Sequence, residues 1–194
     1  MPKVMPEYKE EVRKKIIRAA LEIGEEQGLS NIRMEDIAGR IGISRATLYL
    51  YFRNREELIA EGNRAFCKDF SKILTEILEK ENHNDALLAI FDDFIYPDDC
   101  YGKKTVVEMF AEAIRDEGMR DIIGGSYHNM RSLISDFIRE QKKNGKIHEG
   151  IDPDLAAGIL QSVALGMKVG SVVGLERDEA REIWKIAIEK FVFK

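Results

Sequence analysis

From Arg33 to Phe52 the chain reads Arg-Met-Glu-Asp-Ile-Ala-Gly-Arg-Ile-Gly-Ile-Ser-Arg-Ala-Thr-Leu-Tyr-Leu-Tyr-Phe, and no other stretch constrains the fold as tightly. Met34, Ile37, Ala38 and Ile41 recur at helical spacing and give 34–41 one apolar face. Gly42 permits the left-handed backbone with which many helices end. Ile43 plugs the turn, and Ser44 is a residue whose hydroxyl can accept an orphan N–H at the start of a second helix. That second helix carries Ala46, Leu48, Tyr49, Tyr51 and Phe52, with Phe52 read as packing on the helix before the motif. Two short helices joined by so tight a turn predict a helix-turn-helix, a shape that lays its second helix in the major groove of DNA.

The flanks extend the pattern. Val12, Ile16, Ala19, Ala20 and Ile23 form an apolar stripe on a helix that ends near Gly28. After the motif, Asn54 is placed to cap a long fourth helix whose first turn holds Glu56 and Glu57. With the Gly28 break, Glu35-Asp36-Ile37-Ala38, Gly42-Ile43-Ser44 with Thr47-Leu48-Tyr49 and Tyr51-Phe52, and Arg55-Glu56-Glu57-Leu58, the chain resembles the tetracycline-repressor-like (TetR) family of regulators across roughly Lys9 to Gly62.

The resemblance implies a helix-turn-helix DNA-binding domain at 9–62, with the motif at 33–52, and a helical ligand-binding and dimerisation domain at 63–194. Thr47, Tyr49 and Tyr51 resemble the family's phosphate and base contacts, and the position of Arg33, Ser44, Arg45, Ala46 and Arg55 on or beside the motif makes them further candidate DNA contacts. Arg45 is the candidate for guanine, and Arg33 and Arg55 are the candidates for phosphate. Two departures from the family pattern stand out. Ile32-Arg33 replaces the usual Ser or Thr at the start of the second helix, and Ala46 replaces a common Gly, offering a methyl that can touch thymine but cannot donate a hydrogen bond.

Charge is distributed to suit this reading. The first 64 residues carry 12 Lys+Arg against 11 Asp+Glu, leaving 18 against 24 for the other 130. A net charge of −5 argues against a protein that coats DNA without selectivity, yet Arg40 to Arg55 holds four arginines and no acid. The N-terminus shows no apolar run of the kind a secretory signal needs, and the two cysteines, Cys67 and Cys100, suit a reducing cytosol and ordinary packed thiols. A cytoplasmic location is expected. Leu155 to Leu175 is long and apolar enough to span a bilayer, but Lys168 near its middle argues for a buried helix of a soluble protein.

Period-two alternation is scarce, so the chain is expected to be all-α, with helices near 9–27, 34–41, 45–51, 55–81, 84–95, 103–117, 119–143, 153–173 and 177–192. Asp152 caps and Pro153 opens the eighth of these. Gly158, Ser162, Gly166, Gly170 and Gly174 recur every four residues and predict a close helix crossing. With Trp184 and Ile188 of the following helix, they are the expected homodimer interface, since the family pairs its last two long helices and a palindromic site calls for twofold symmetry.

Phe66, Phe70, Phe91, Phe94, Met109, Phe110, Tyr127, Met130 and Phe137 supply the aromatics and thioethers of an expected cavity for a small, largely apolar effector. Arg115, Arg131, Glu108, Glu112 and Asp136 could orient a polar group of the ligand, with solvated surface the leading reading of each. His83, His128 and His148 form no close ligand pair with another His or Cys, so no metal or cofactor is expected. No nucleophile motif, Gly-rich phosphate loop or paired-carboxylate pattern marks an enzyme. The leading expectation is a repressor released from DNA by its effector, the alternatives being a structural DNA-binding protein or a helical enzyme.

Overall fold

The computed structural model describes residues 6–78, 88–96, 103–147 and 149–191. Cys100, His83, His148 and the start of the helix expected at 84–95 lie outside them. The described residues form helices α1 (Pro6–Gln27), α2 (Met34–Ile41), α3 (Arg45–Tyr49), α4 (Arg55–Leu78), α5 (88–95), α6 (Lys103–Ala113), α7 (Glu117–Lys143), α8 (Pro153–Val172) and α9 (Arg177–Phe191), with a short 3₁₀ turn at Leu29–Asn31. The fold is all-α.

Local rules set most of the ends. Gly42 adopts φ 70°, ψ 31°, and its N–H closes onto the last turn of α2. Ser44 Oγ accepts the Thr47 N–H at 3.0 Å, Asn54 Oδ1 accepts Glu57 N–H at 2.8 Å, and Asp152 Oδ1 accepts the N–H groups of Asp154 and Leu155. Four boundaries differ from expectation, the first being that α1 begins at Pro6 rather than at 9. Helix α3 stops at Tyr49 rather than 51. The break placed at Gly118 falls earlier, between Ala113 and Glu117, because Asp116 Oδ1 takes the Met119 N–H and Gly118 sits inside the first turn of α7. Helix α8 ends at Val172, and Gly174 follows in a turn at φ 110° rather than in the helix.

Two compact units divide the chain, Met1–Ala65 with Lys104–Ile123, and Phe66–Lys103 with Gly124–Lys194. The first unit therefore takes in most of α6 and the first turns of α7, which the sequence alone assigned to the second domain. Its core is Ile16, Ala19, Ala20 and Ile23 of α1, Leu29 and Ile32, Met34, Ile37 and Ala38 of α2, then Leu48, Phe52 and Leu58. Phe52 is fully buried, with the Arg13 guanidinium 4.5 Å above its ring. Arg13 also donates to the Tyr51 carbonyl at 3.0 Å and pairs with Glu61 at 3.2 Å, so one side chain of α1 fixes the α3–α4 corner.

The second unit packs Phe70 and Leu74 of α4, Ile90, Phe91 and Ile95 of α5, Tyr96, Phe137 and Ile138 of α7, and the inner faces of α8 and α9 around one core. Residues Phe91–Ile95 wind as a π-helix. The Lys168 ammonium satisfies the Phe94 and Ile95 carbonyls that this winding leaves at its end, at 3.2 and 3.0 Å. Arg177 binds Asp92 at 2.7 Å, and Tyr96 Oη donates to the Leu175 carbonyl.

Helix α8 corrects the expectation that it is buried. It is the one described helix long and apolar enough to cross a membrane, yet only one face is covered. Ala156, Ala157, Leu160, Gln161 and Met167 face the unit's core. Leu155, Ile159, Ser162, Gly166, Val169 and Val173 are exposed, and they follow one another at alternating spacings of four and three.

Candidate nucleic-acid interface

The recognition surface is built on a five-residue helix, too short to be stable alone. Three things hold it. Leu48 is wholly buried in the core of the first unit. Ser44 caps its N-terminus, and Ser44 Oγ also lies 2.8 Å from Thr47 Oγ1. The corner after it, Leu50 to Phe52, folds back onto the Thr47 and Leu48 carbonyls. With its inner side pinned, α3 turns Ser44, Arg45, Ala46 and Tyr49 to solvent, with Leu50 beyond them 83% exposed.

Arg45 is the most prominent group on this face. Its guanidinium stands 5.5 Å from the Tyr49 ring centroid and its Nη1 lies 2.7 Å from Glu35 Oε1 on α2. The Tyr49 hydroxyl and then Glu35 hold its proton more firmly than in a free arginine. Arg45 is thus exposed and held beside Tyr49 and Glu35, and its fork of donors is of the kind that suits the O6 and N7 edge of guanine. Arg33 is exposed at the start of α2, where its own side chain makes no capping bond and Glu35 and Asp36 stand in the first turn. Thr47 and Tyr51 are half-buried, the first tied to Ser44 and the second giving its carbonyl to Arg13.

Arg55 is placed differently from the expectation that it clamps phosphate. Its side chain is mostly buried; Nη1 donates to the Leu29 carbonyl at 2.8 Å and Nη2 pairs with Glu112 of α6. Glu108, one turn earlier on α6, accepts the Leu29 N–H, and Glu25 of α1 accepts both the N–H and the hydroxyl of Thr105 at 3.0 and 2.6 Å. Leu29 is therefore gripped at both its polar backbone atoms, and α6 is strapped to the turn that leads into α2. Sequence reasoning read Glu108 and Glu112 as solvated surface, because nothing local signals a partner 57 residues away in the chain.

The residues expected to line a cavity separate in the same way. Phe66, Phe70 and Phe94 come together in the second unit, with ring centroids 5.5 and 5.4 Å apart in the Phe66–Phe94 and Phe70–Phe94 pairs. Phe91 stacks on Tyr96, and Phe94, Met130 and Phe137 belong to the same cluster. Tyr127 is half-buried, and its carbonyl accepts from Gln161, a residue the sequence did not single out. Met109 packs instead against the core of the first unit, and Phe110 lies in that unit too. Cys67 is a buried free thiol whose pKa burial pushes up, against the opposing pull of a hydrogen bond with Asn129; this is the setting of a packed thiol rather than a reactive thiolate.

Of the expected interface residues, Ser162 and Gly166 lie on the exposed stripe of α8, and a Cβ on Gly166 would meet nothing within 4 Å. Gly158 and Gly170 have reasons within the chain: a Cβ there would come within 3.0 Å of Arg131 and Leu175 respectively. Trp184 and Ile188 are buried in the unit's own core.

A helix-turn-helix with a solvent-facing arginine at the head of its second helix, joined to a separate helical unit with an aromatic cluster, defines a DNA-binding regulator. Two family models match the chain: that of bacterial regulatory proteins of the tetR family over residues 16–61, and that of the C-terminal part of BetI-type transcriptional repressors over 83–192. The chain belongs to the TetR family of transcriptional regulators. It is a DNA-binding transcriptional regulator and not an enzyme. The HTH-type transcriptional regulator YvdT of Bacillus subtilis is 24% identical over 97% of this chain and 96% of its own length. A transcriptional regulator of Saccharomonospora viridis solved with choline superposes with a TM-score of 0.75 at 21% identity, covering 95% of this chain and 99% of that one. The SmeT–triclosan complex gives 0.74 at 20% identity, covering 93% and 91%.

Proposed function

We propose that the protein is a cytoplasmic repressor that binds a palindromic operator as a homodimer and is released by a small, largely apolar effector. Residues 9–62 act as the DNA-binding domain and 63–194 as the effector-binding and dimerisation domain. Arg45 reads a guanine, Ser44, Ala46, Thr47 and Tyr49 contact neighbouring bases and phosphates, Arg33 holds a phosphate, and Arg55 positions the first unit from within. The observation that carries this reading is the exposed Arg45, held beside Tyr49 and Glu35, at the head of a recognition helix whose opposite face is locked into the core. The effector reading is supported by the Phe66, Phe70, Phe94 and Met130 cluster. The dimer reading is supported by the exposed apolar stripe of α8, joined by Ile183 and Ile186 of α9.

The test begins with footprinting on DNA next to the gene, followed by titration of the protected duplex. Arg45→Ala is expected to weaken operator binding by about 1–3 kcal/mol and to relax the preference at one base pair of each half-site. Unchanged affinity with unchanged sequence preference removes Arg45 from the reading surface. For the effector, a thermal-shift screen starting from triclosan and other apolar or amphipathic compounds identifies binders, and each is then titrated against the operator complex. A coupling of roughly 1–3 kcal/mol, a 5- to 150-fold loss of operator affinity, is expected of a true effector. Binders that stabilise the protein but leave the operator bound argue against release.

A further inference from the structure

Helix α7 carries Gly124 and Gly125 side by side in its interior, followed by Ser126. Glycine weakens a helix more than any residue but proline, so two in succession need a reason. Close packing is not the reason, since a Cβ built on either residue meets nothing within 4 Å. Left-handed backbone is not the reason either, because both are helical and neither has a positive φ. Compliance is a use that fits both facts: Gly and Ser pairs are among the few sequence features at which helices kink.

Their place in the chain gives that compliance a use. The boundary between the two compact units cuts α7 between Ile123 and Gly124. Upstream, Met119 and Ile123 belong to the first unit and are buried, and α6 is tied to α1, Leu29 and Arg55 by Glu25, Glu108 and Glu112. Downstream, α7 is held to α8 by Gln161 on the Tyr127 carbonyl at 2.9 Å, Arg131 on the Asp154 carbonyl at 3.1 Å, and Ser135 on the Asp154 carboxylate. Each side is fastened to its own unit, and the weak step lies between the fastenings.

We propose that Gly124–Gly125 is a built-in joint of α7, at which the helix bends so that α6 and residues 117–123 travel with the DNA-binding helices. That an effector is what drives the bending rests on the function proposed above; the joint itself does not. The test is hydrogen exchange on the full-length protein, free and bound to the operator duplex, for the wild type and for Gly124→Ala/Gly125→Ala. The variant is sterically open at both positions and is expected to fold.

In the free wild type, amides across 124–129 are expected to exchange at least about tenfold faster than those on both flanks of α7, and the two alanines to close that gap by roughly tenfold or more. Operator binding is expected to protect 104–123 while leaving 130–143 unchanged in the wild type, and to spread protection across 130–143 in the variant. Uniform protection from 119 to 140 in the free wild type, or an operator effect that runs unbroken through α7, overturns the joint. A protein that binds no operator overturns the proposed function, while exchange in the free protein still decides the joint.

Discussion

Phe52→Ala is expected to cost about 3–5 kcal/mol of stability, the range for truncating a buried phenylalanine in a core that cannot close up. Phe52 is wholly buried between α1 and the α3–α4 corner, and it is also the surface on which the Arg13 guanidinium rests. Removing the ring leaves a cavity and takes the floor from beneath a cation that fixes the Tyr51 carbonyl and Glu61. Domains have only about 5–15 kcal/mol of net stability, so the first unit should melt at a visibly lower temperature and operator binding should fall with it. Urea unfolding followed by circular dichroism, with operator titration at low temperature, measures both. A loss under about 1 kcal/mol would mean that the ring is not part of the core.

The second large effect concerns α8. Val169 is 45% exposed in the middle of a stripe that also holds Ile159, Gly166 and Val173, and no polar group lies along it apart from Ser162. In a twofold dimer built on this stripe, Val169→Glu introduces two carboxylates at one apolar interface, one from each subunit. Burying them against each other costs several kcal/mol. Sedimentation should show monomer, and operator affinity should fall by at least about 100-fold, because each half-site then binds alone. In the monomer the side chain points to water, so the thermal stability of the single chain should change little. A variant that stays dimeric with native affinity places the interface elsewhere.

The features that the sequence made legible are those decided within a few residues of chain. Gly42, Ser44, Asn54 and Asp152 end or begin helices through bonds to backbone groups two to four positions away, and the structure has each of them in that role. The apolar stripe of α1 likewise has one partner, the helices next to it. Features decided by distant chain were not legible. Arg55 lies in a run of arginines and reads as a phosphate ligand until Glu112 comes within reach. Met109 has the right periodicity for a core residue, but periodicity does not say which core, and α6 packs on the first.

Helix α8 shows the same limit from the other side. It is apolar nearly all round, so the ladder of small residues and the exposed stripe cross on its surface and share only Ser162 and Gly166. Apolar character alone could not tell the face that meets Arg131 and Leu175 from the face that meets solvent.

Glu35 has a consequence for how the protein searches DNA. Before any DNA arrives, its carboxylate occupies the Arg45 guanidinium at 2.7 Å on an open surface. A backbone phosphate carries the same sign of charge and two free oxygens, so it can take the place of Glu35 on the same fork. A guanine edge offers two neutral acceptors in the plane of the fork. On the reading proposed for Arg45, Glu35 is a built-in competitor that any DNA acceptor must displace before the guanidinium is free.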